Sequence, residues 1–514
     1  MLSALGNELV TQAVDAVRWD AIVIGTGLGG AHAGDRLVDA GMKVLFVDRG
    51  AAPVNGQPTP LEQLEAEVSL NGRSVRRVQT TVAAVGGTSV IYAASLEQPE
   101  RHDLDEVPGI PHPTHGWVVG YDSFAPYFDM ARKTAGVCGT HDPLSLFHEG
   151  AMRAPPPLCP GDALIEAGLI RRGFHPYRAH LGIGFDRGCA ECIGRECLRN
   201  CKADARRPLN HAVKTGRGAL LSGWTAQRIE TDGPLASRVV VRRDGQDMTL
   251  TADRVILAAG SLASAQLLLA SRSEDWQDGI GNRSGLVGRG LMFHLSERMA
   301  VWPDGRAALG FPAKSLALRD LYLQGGQRMG LVQSMGLQAD YGNVLMHLRA
   351  RFDSGWMRWA RPMRPLLRVP AWVAAMFLGS ARVFVGILED LPYNQNRVLP
   401  GTDPSAPPRI DYAVTPELAA RRKQFRTSIR RMLNGQRWFF LNDDVELNFG
   451  HACGTARFGA DPRTSVLDAD CRVHGLRNLY LADASFMPTS TGVNPGLVIL
   501  ANSLRVADRV LAAA

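Results

Sequence analysis

The 514-residue chain has no uninterrupted apolar run approaching the ~20 residues that a membrane-spanning helix needs. Met1–Trp19 has no basic start followed by an apolar stretch, so a secretory signal is not expected. The expected location is the cytoplasm, with association at a membrane surface left open. Internal repeats are absent. No nucleic-acid-binding motif accompanies the net charge of +7, so no nucleic-acid partner is expected. Acid is scarce in one region: between Arg349 and Arg382, seven arginines stand against the single Asp353. Cysteines are few, and four of the eight crowd into Cys189–Cys201. In a long intracellular chain, that crowding suggests metal or redox chemistry before a disulfide framework. Glycine, in contrast, is plentiful at 54 residues, which points to tight turns and close backbone approaches.

The informative start is Asp20–Gly25 (DAIVIG), which reads as a short buried strand. Gly25–Gly30 (GTGLGG) follows, then a helical stretch over Ala31–Ala40, then a second strand, Lys43–Val47, ending at Asp48. In this order each part has a physical task. Gly25 permits the turn, Gly27 lets backbone approach a pyrophosphate, and Gly30 lets helix and strand pack closely. The helix N-terminus offers unpaired N–H groups and the positive end of its dipole to phosphates. Asp48 can accept hydrogen bonds from a ribose. The motif does not separate FAD from NAD.

Further along, residues 50–80 read as a polar loop leading into a patterned helix, and Ala83–Val90 (AAVGGTSV) as a second small-residue turn. Ala154–Leu158 (APPPL) reads as a linker or surface excursion. Arg254–Ala259 is strand-like and precedes a helix. Thr415-Pro416 starts another helix, with Leu418, Phe425, Ile429 and Met432 at helical spacing and Gly435 ending it. The nucleotide-binding pieces lie far apart, which predicts a discontinuous domain with a second domain inserted between them.

The stretch from His451 to Leu511 closely resembles the C-terminal signature of the glucose–methanol–choline (GMC) flavin oxidoreductases. The likeness rests on His-x-x-Gly-Thr at His451–Thr455, Asp461-Pro462, Ala482–Ser485, Pro488–Ser490 and Asn494-Pro495. Val85–Ser89, Gly116–Gly139, the RVILAAGSLASAQLLL segment, Val287–His294 and Asn396–Val398 resemble the family as well. The pattern is most similar to bacterial cholesterol-oxidase-like and cysteine-rich dehydrogenase members.

The resemblance implies an α/β fold: a discontinuous Rossmann-like FAD-binding domain (17–100, 205–300 and 445–514) and an inserted α+β substrate domain on a mostly antiparallel sheet (101–204 and 301–444). It implies oxidation of an alcohol by hydride transfer to FAD, with His451 as base and Asn494 as its partner on the substrate oxygen. Gly25, Gly27, Leu28, Gly30, Asp48, Arg49, Gly87, Thr88, Ser89, Tyr92, Ala259, Gly260, Asp483, Ala484, Asn494 and Pro495 are the expected FAD contacts. Many relatives place Asn or His after the second glycine turn. Ile91-Tyr92-Ala93 stands there in this chain, so FAD is expected to be held non-covalently. His294 and His474 are read as supporting residues.

Cys189, Cys192, Cys197 and Cys201, spaced Cys-x2-Cys-x4-Cys-x3-Cys, are expected either to ligate an iron–sulfur cluster or to be free thiols in a structural turn. Residues 356–379 mix Trp356, Trp359 and Trp372 with four arginines. They read first as a lid over a lipophilic pocket and second as a peripheral membrane contact. The expected partners are a bulky or lipophilic alcohol and an external electron acceptor: oxygen, a quinone or a redox protein. Two alternatives remain, a flavin-dependent lyase of the same family and a flavoprotein subunit of a membrane electron-transfer complex.

Overall fold

The computed structural model describes residues 14–53, 57–73, 75–146, 150, 152–189, 191–338, 341–354, 356–401 and 403–513. Its nucleotide-binding layer is assembled from distant segments. Strand Arg18–Ile24 pairs in parallel with Val44–Asp48 on one side and with Gln246–Leu257 on the other. Gly218–Ser222 extends the sheet beyond Val44–Asp48, and Leu479–Leu481 pairs in parallel with the end of Gln246–Leu257. Antiparallel strands Leu235–Arg243 and Thr225–Asp232 complete it. The burial of Val44–Asp48 on both faces is what a parallel sheet covered by helices requires.

A second sheet is mostly antiparallel. It runs Trp438–Phe440, Met292–Val301, Arg382–Leu388, Val332–Gln338, Leu316–Leu318 and Tyr177–Arg178, with Leu447–Cys453 also pairing to Met292–Val301. The segments 205–300 and 445–514 therefore each contribute a strand to this substrate-side sheet. The α/β architecture with a Rossmann-like layer and a substrate layer is as the resemblance implied.

Residues 62–83 differ from expectation. In place of a patterned helix, Glu62–Leu70 and Arg76–Ala83 form an antiparallel hairpin, and Glu62–Leu70 also pairs in parallel with Arg409–Tyr412. Ala66 and Val68 are buried while their neighbours are not, an alternation that suits a strand; the local partner Arg76–Ala83 pairs along its length, and Arg409–Tyr412, over 300 residues away, covers its other edge.

Helices follow their local signals more closely. Pro416–Met432 starts at Thr415, whose hydroxyl accepts from the Leu418 amide at 3.1 Å, and it buries Leu418, Phe425, Ile429 and Met432. Tyr121–Ala135 carries Asp122 in its first turn, Arg132 and Lys133 in its last, and ends at Gly136 with φ 58°. Its buried face supplies Phe124, which packs with Trp117, Phe458 and Phe486 in one aromatic cluster tying the helix to the C-terminal segment. No described helix is long and apolar enough to cross a membrane.

Candidate active site

The glycine turn leaves the sheet at the carboxyl end of Arg18–Ile24, where ligands of open α/β sheets bind. A side chain at Gly29 would place its Cβ 1.7 Å from the Ala482 carbonyl oxygen, and one at Gly30 would sit 1.9 Å from that of Gly25. A Cβ at Gly27, in contrast, would meet nothing within 4 Å, so this backbone faces open space. Helix Leu28–Asp39 starts there with no side-chain cap and no acid in its first turn, which leaves its leading amides for an anion.

That space is a cavity of about 590 Å³. Gly25, Gly27, Leu28, Asp48, Arg49, Gly87, Thr88, Ser89, Tyr92, Ala259, Gly260, Asp483, Ala484, Asn494 and Pro495 all line it, and so does His451. Gly30 does not line it; its work is the close packing of helix against turn.

Two carboxylates organise the walls. Asp48 accepts from the Thr26 amide at 2.8 Å, the Thr26 hydroxyl at 2.5 Å and the Gly50 amide at 2.7 Å. The same Thr26 hydroxyl accepts from the Gly86 amide at 2.9 Å, coupling the two glycine turns. Asp483 accepts from the Gly260 amide, the Ser264 hydroxyl and the Ser485 amide at 2.9, 2.5 and 2.9 Å. Burial pushes both carboxyls above their ordinary range against these bonds. In each carboxylate Oδ2 accepts two of these bonds and Oδ1 only one, so Asp48 Oδ1 keeps a lone pair that can serve a ribose. An elongated cleft with an amide-rich helix start, a carboxylate at the second strand and small residues between fits a dinucleotide.

At the other end, His451 lies on Leu447–Cys453 beside Met292–Val301, which carries His294. His294 Nε2 is 2.9 Å from the Thr491 carbonyl oxygen, and its Nδ1 is 2.9 Å from His451 Nδ1. A carbonyl only accepts, so His294 Nε2 holds the proton. Burial lowers the His294 pKa to about 4, so the ring is neutral and its Nδ1 is an acceptor. His451 Nδ1 must then donate, which leaves His451 Nε2 unprotonated. Burial first, then the cost of placing a second positive charge beside the His294 ring and Lys314, hold the His451 pKa well below its ordinary value of 6.5. Thr491 is itself a β-branched residue at φ 60°, a conformation that costs ~1–3 kcal/mol, and this turn presents its carbonyl to His294.

Asn494 is also oriented. Its Oδ1 accepts from Gln333 Nε2 at 3.0 Å, and Gln333 Oε1 accepts from the Ser95 hydroxyl at 2.9 Å. The Asn494 amide nitrogen therefore keeps its donors for the cavity. Asn494-Pro495 sits at the start of helix Gly496–Ala512, which has no acid in its first turn, so a positive dipole end faces the same space.

Behind Tyr92 lies the cysteine loop. Cys189, Cys197 and Cys201 are buried in one apolar cluster, with Cys192 partly buried against it. Cys197 Sγ accepts from the Cys201 amide at 3.2 Å and Cys189 Sγ from the Glu191 amide at 3.3 Å. Against the burial that opposes it, backbone amides hold the Cys197 thiol below its ordinary pKa. Buried Lys202 donates to the carbonyls of Val90, Tyr92, Cys192 and Arg195 at 2.9, 3.1, 2.8 and 3.0 Å, fastening this loop to the segment that lines the cavity. Among the described residues, the only grouping of His, Cys, Asp and Glu with ligand atoms close enough for one metal ion is Asp35, Asp39 and His211 on the surface. His474 stands apart, with its Nε2 3.0 Å from the Ser465 hydroxyl.

Gln333, Ser95, Thr26 and Lys202 carry no sequence motif for these roles. His294 lay in a family-like segment, but nothing in that segment indicated its contact with His451.

Residues 19–296 match the N-terminal sequence model of the GMC oxidoreductases and residues 392–503 the C-terminal one. The chain belongs to the GMC oxidoreductase family. It is 30% identical to the paromamine 6'-oxidase of Streptomyces fradiae, over 96% of this chain and 91% of that protein. It is likewise 30% identical to the 6'''-hydroxyparomomycin C oxidase of Streptomyces lividus, with the same coverage. The 2-methyl-1,2-propanediol dehydrogenase of Mycolicibacterium austroafricanum is 24% identical over 96% of this chain and 95% of that protein. Among solved structures, the formate oxidase of Aspergillus oryzae superposes with a TM-score of 0.67 at 16% identity, covering 96% and 98% of the two chains. Pyridoxine 4-oxidase from Mesorbium loti gives 0.63 at 18%, covering 96% and 99%. These two likenesses show the fold. This GMC protein is thus an FAD-dependent oxidoreductase acting on alcohol-type substrates.

Proposed function

We propose that this enzyme oxidises a carbinol (CH–OH) of a bulky, glycosylated alcohol, with His451 as base and Asn494 as hydrogen-bond donor to the substrate oxygen. The observation that supports the reading is the hydrogen-bond chain from His451 through His294 to the Thr491 carbonyl, which leaves Nε2 of a cavity-lining histidine unprotonated. Bound non-covalently among the residues lining the cleft, FAD supplies the two-electron acceptor for the hydride. His451 Nε2 takes the hydroxyl proton, and the Asn494 amide steadies the oxygen against the charge that develops as that proton leaves. The substrate class is supported by the two relatives named for paromamine and hydroxyparomomycin, each matched over 96% of this chain.

Purified protein mixed anaerobically with paromamine should lose its flavin absorbance near 450 nm, and His451→Gln should slow that loss by ~10²–10⁴-fold while retaining flavin. A lyase would consume substrate with the flavin still oxidised. Unchanged bleaching in His451→Gln would remove the proposed base.

We further propose that Cys189, Cys192, Cys197 and Cys201 are free thiols of a structural turn, with an iron–sulfur cluster as the alternative. Burial raises the Cys189 thiol and pushes Cys201 up to about 12, and the Cys201 thiol donates to the Arg187 and Arg199 carbonyls. The amide-to-sulfur bonds at Cys189 and Cys197 are what favours the alternative. Protein purified without oxygen should carry no acid-labile sulfide; iron and sulfide in stoichiometric amounts would establish the cluster.

A further inference from the structure

Strands Val332–Gln338 and Arg382–Leu388 are antiparallel neighbours, and their outermost pair is Gln338–Arg382. A two-residue turn can close such a hairpin. This chain instead inserts helix Tyr341–Ser354, a 3-10 segment Trp356–Leu367 and helix Arg368–Leu378. The three pack chiefly on one another, around buried Leu345, Phe352 and Ala371. The exit of the excursion is pinned: Arg382 donates to both oxygens of buried Asp162 at 2.7 and 2.8 Å. Long connections of this kind usually carry a function.

The excursion turns its apolar residues outward. Met363, Leu366, Val369, Trp372 and Met376 recur at steps of about three to four residues, Phe377 follows the last, and all six are between 51% and 65% exposed. None of them lines the active-site cavity, so they do not act as its roof. Arg364 and Arg368 are exposed within the same run, whereas Arg382 of the same stretch is buried against Asp162 and adds no charge to this face. The side chains of Trp356, Arg358, Trp359 and Arg361 lie outside the described residues.

We propose that this face docks on the headgroup region of a bilayer carrying anionic lipid. An apolar stripe with an aromatic residue enters the interface, while the arginines meet lipid phosphates. A second copy of the chain is the poorer occupant, because a two-fold contact would bring the same arginines against each other. The protein lies on the membrane and does not cross it through this excursion, whose helices are too short to span. The inference is independent of the flavin chemistry.

The test is flotation of the full-length holoprotein with vesicles of phosphatidylcholine alone or mixed with phosphatidylglycerol. The protein should float with the mixed vesicles, and more weakly at high salt. The variant Trp372→Ser/Met376→Ser/Phe377→Ser, altered at exposed positions, should bind at least ~10-fold less, with unchanged melting and unchanged turnover of a water-soluble alcohol. Arg364→Gln/Arg368→Gln should abolish the preference for anionic vesicles. Failure to float with mixed vesicles would overturn the proposal, as would equal binding to phosphatidylcholine alone. So would a wild-type dimer in light scattering that the triple variant dissolves, which assigns the face to a second copy. A changed KM for the soluble alcohol without vesicles would assign it to a lid.

Discussion

At His451 the proton has one available position. His294 faces it with an acceptor because its own proton is given to the Thr491 carbonyl, so the nitrogen left for the proposed base is His451 Nε2. The active form is the neutral ring, and a lowered pKa keeps that form present far into acid. The acid limb of kcat/KM should therefore fall well below pH 6.5, and a pH–rate profile with an inflection at that ordinary value would contradict the arrangement. Gln333 has the matching task for Asn494. Gln333→Leu should lower kcat/KM by ~5- to 100-fold, the cost of a lost, buried orienting bond. The pH profile should be unchanged, since the histidine chain is intact. Gln333→Glu should be no better than Gln333→Leu, because a carboxylate facing Asn494 Oδ1 favours the flipped amide.

Between elements, the glycine loop and the cysteine loop are held by different means. Helix Leu28–Asp39 approaches the Ala482 strand end so closely that Gly29→Ala must shift backbone, not a side chain. A destabilisation of at least ~1–3 kcal/mol with loss of flavin is expected, read by melting and by absorbance of the purified variant. The cysteine loop hangs on Lys202, whose ammonium serves four carbonyls from two segments. Lys202→Met fits the space but leaves those acceptors without the donor, at ~1–3 kcal/mol for each one that water cannot reach. That variant should melt earlier and retain less flavin, because Val90 and Tyr92 lose their tether beside the cleft.

Over the whole molecule, buried titratable groups pull the pH dependence of stability in opposite directions. His32 and His294 have pKa values lowered by burial to about 4. Below pH 6.5 the unfolded chain binds protons there that the folded one refuses, so each costs stability as pH falls toward 4, by ~1.4 kcal/mol per unit. Asp390 behaves oppositely: burial raises it from 3.8 to about 7, so the folded chain binds its proton first and gains stability over roughly the same window. With Glu389, also raised by burial to about 7, left in place, Asp390→Asn removes one compensating group. Its stability in denaturant titrations should fall more steeply from pH 6.5 to 4.5 than that of the unaltered protein.

The sequence alone determined what depends on local backbone chemistry. The strand–glycine-turn–helix start, the capped helix after Thr415 and the GMC signature around His451 and Asn494 are short-range patterns, and each was readable because spacing dictates geometry. The structure brings both of those residues to one cavity. Tertiary contact decided the rest. Glu62–Leu70 is a strand flanked by its hairpin partner Arg76–Ala83 and by the distant Arg409–Tyr412. His294 and Gln333 come from strands 157 and 161 positions away from the residues they orient. The direction of a proton or an amide is set by whichever partner folding brings opposite it, and no local periodicity records that partner.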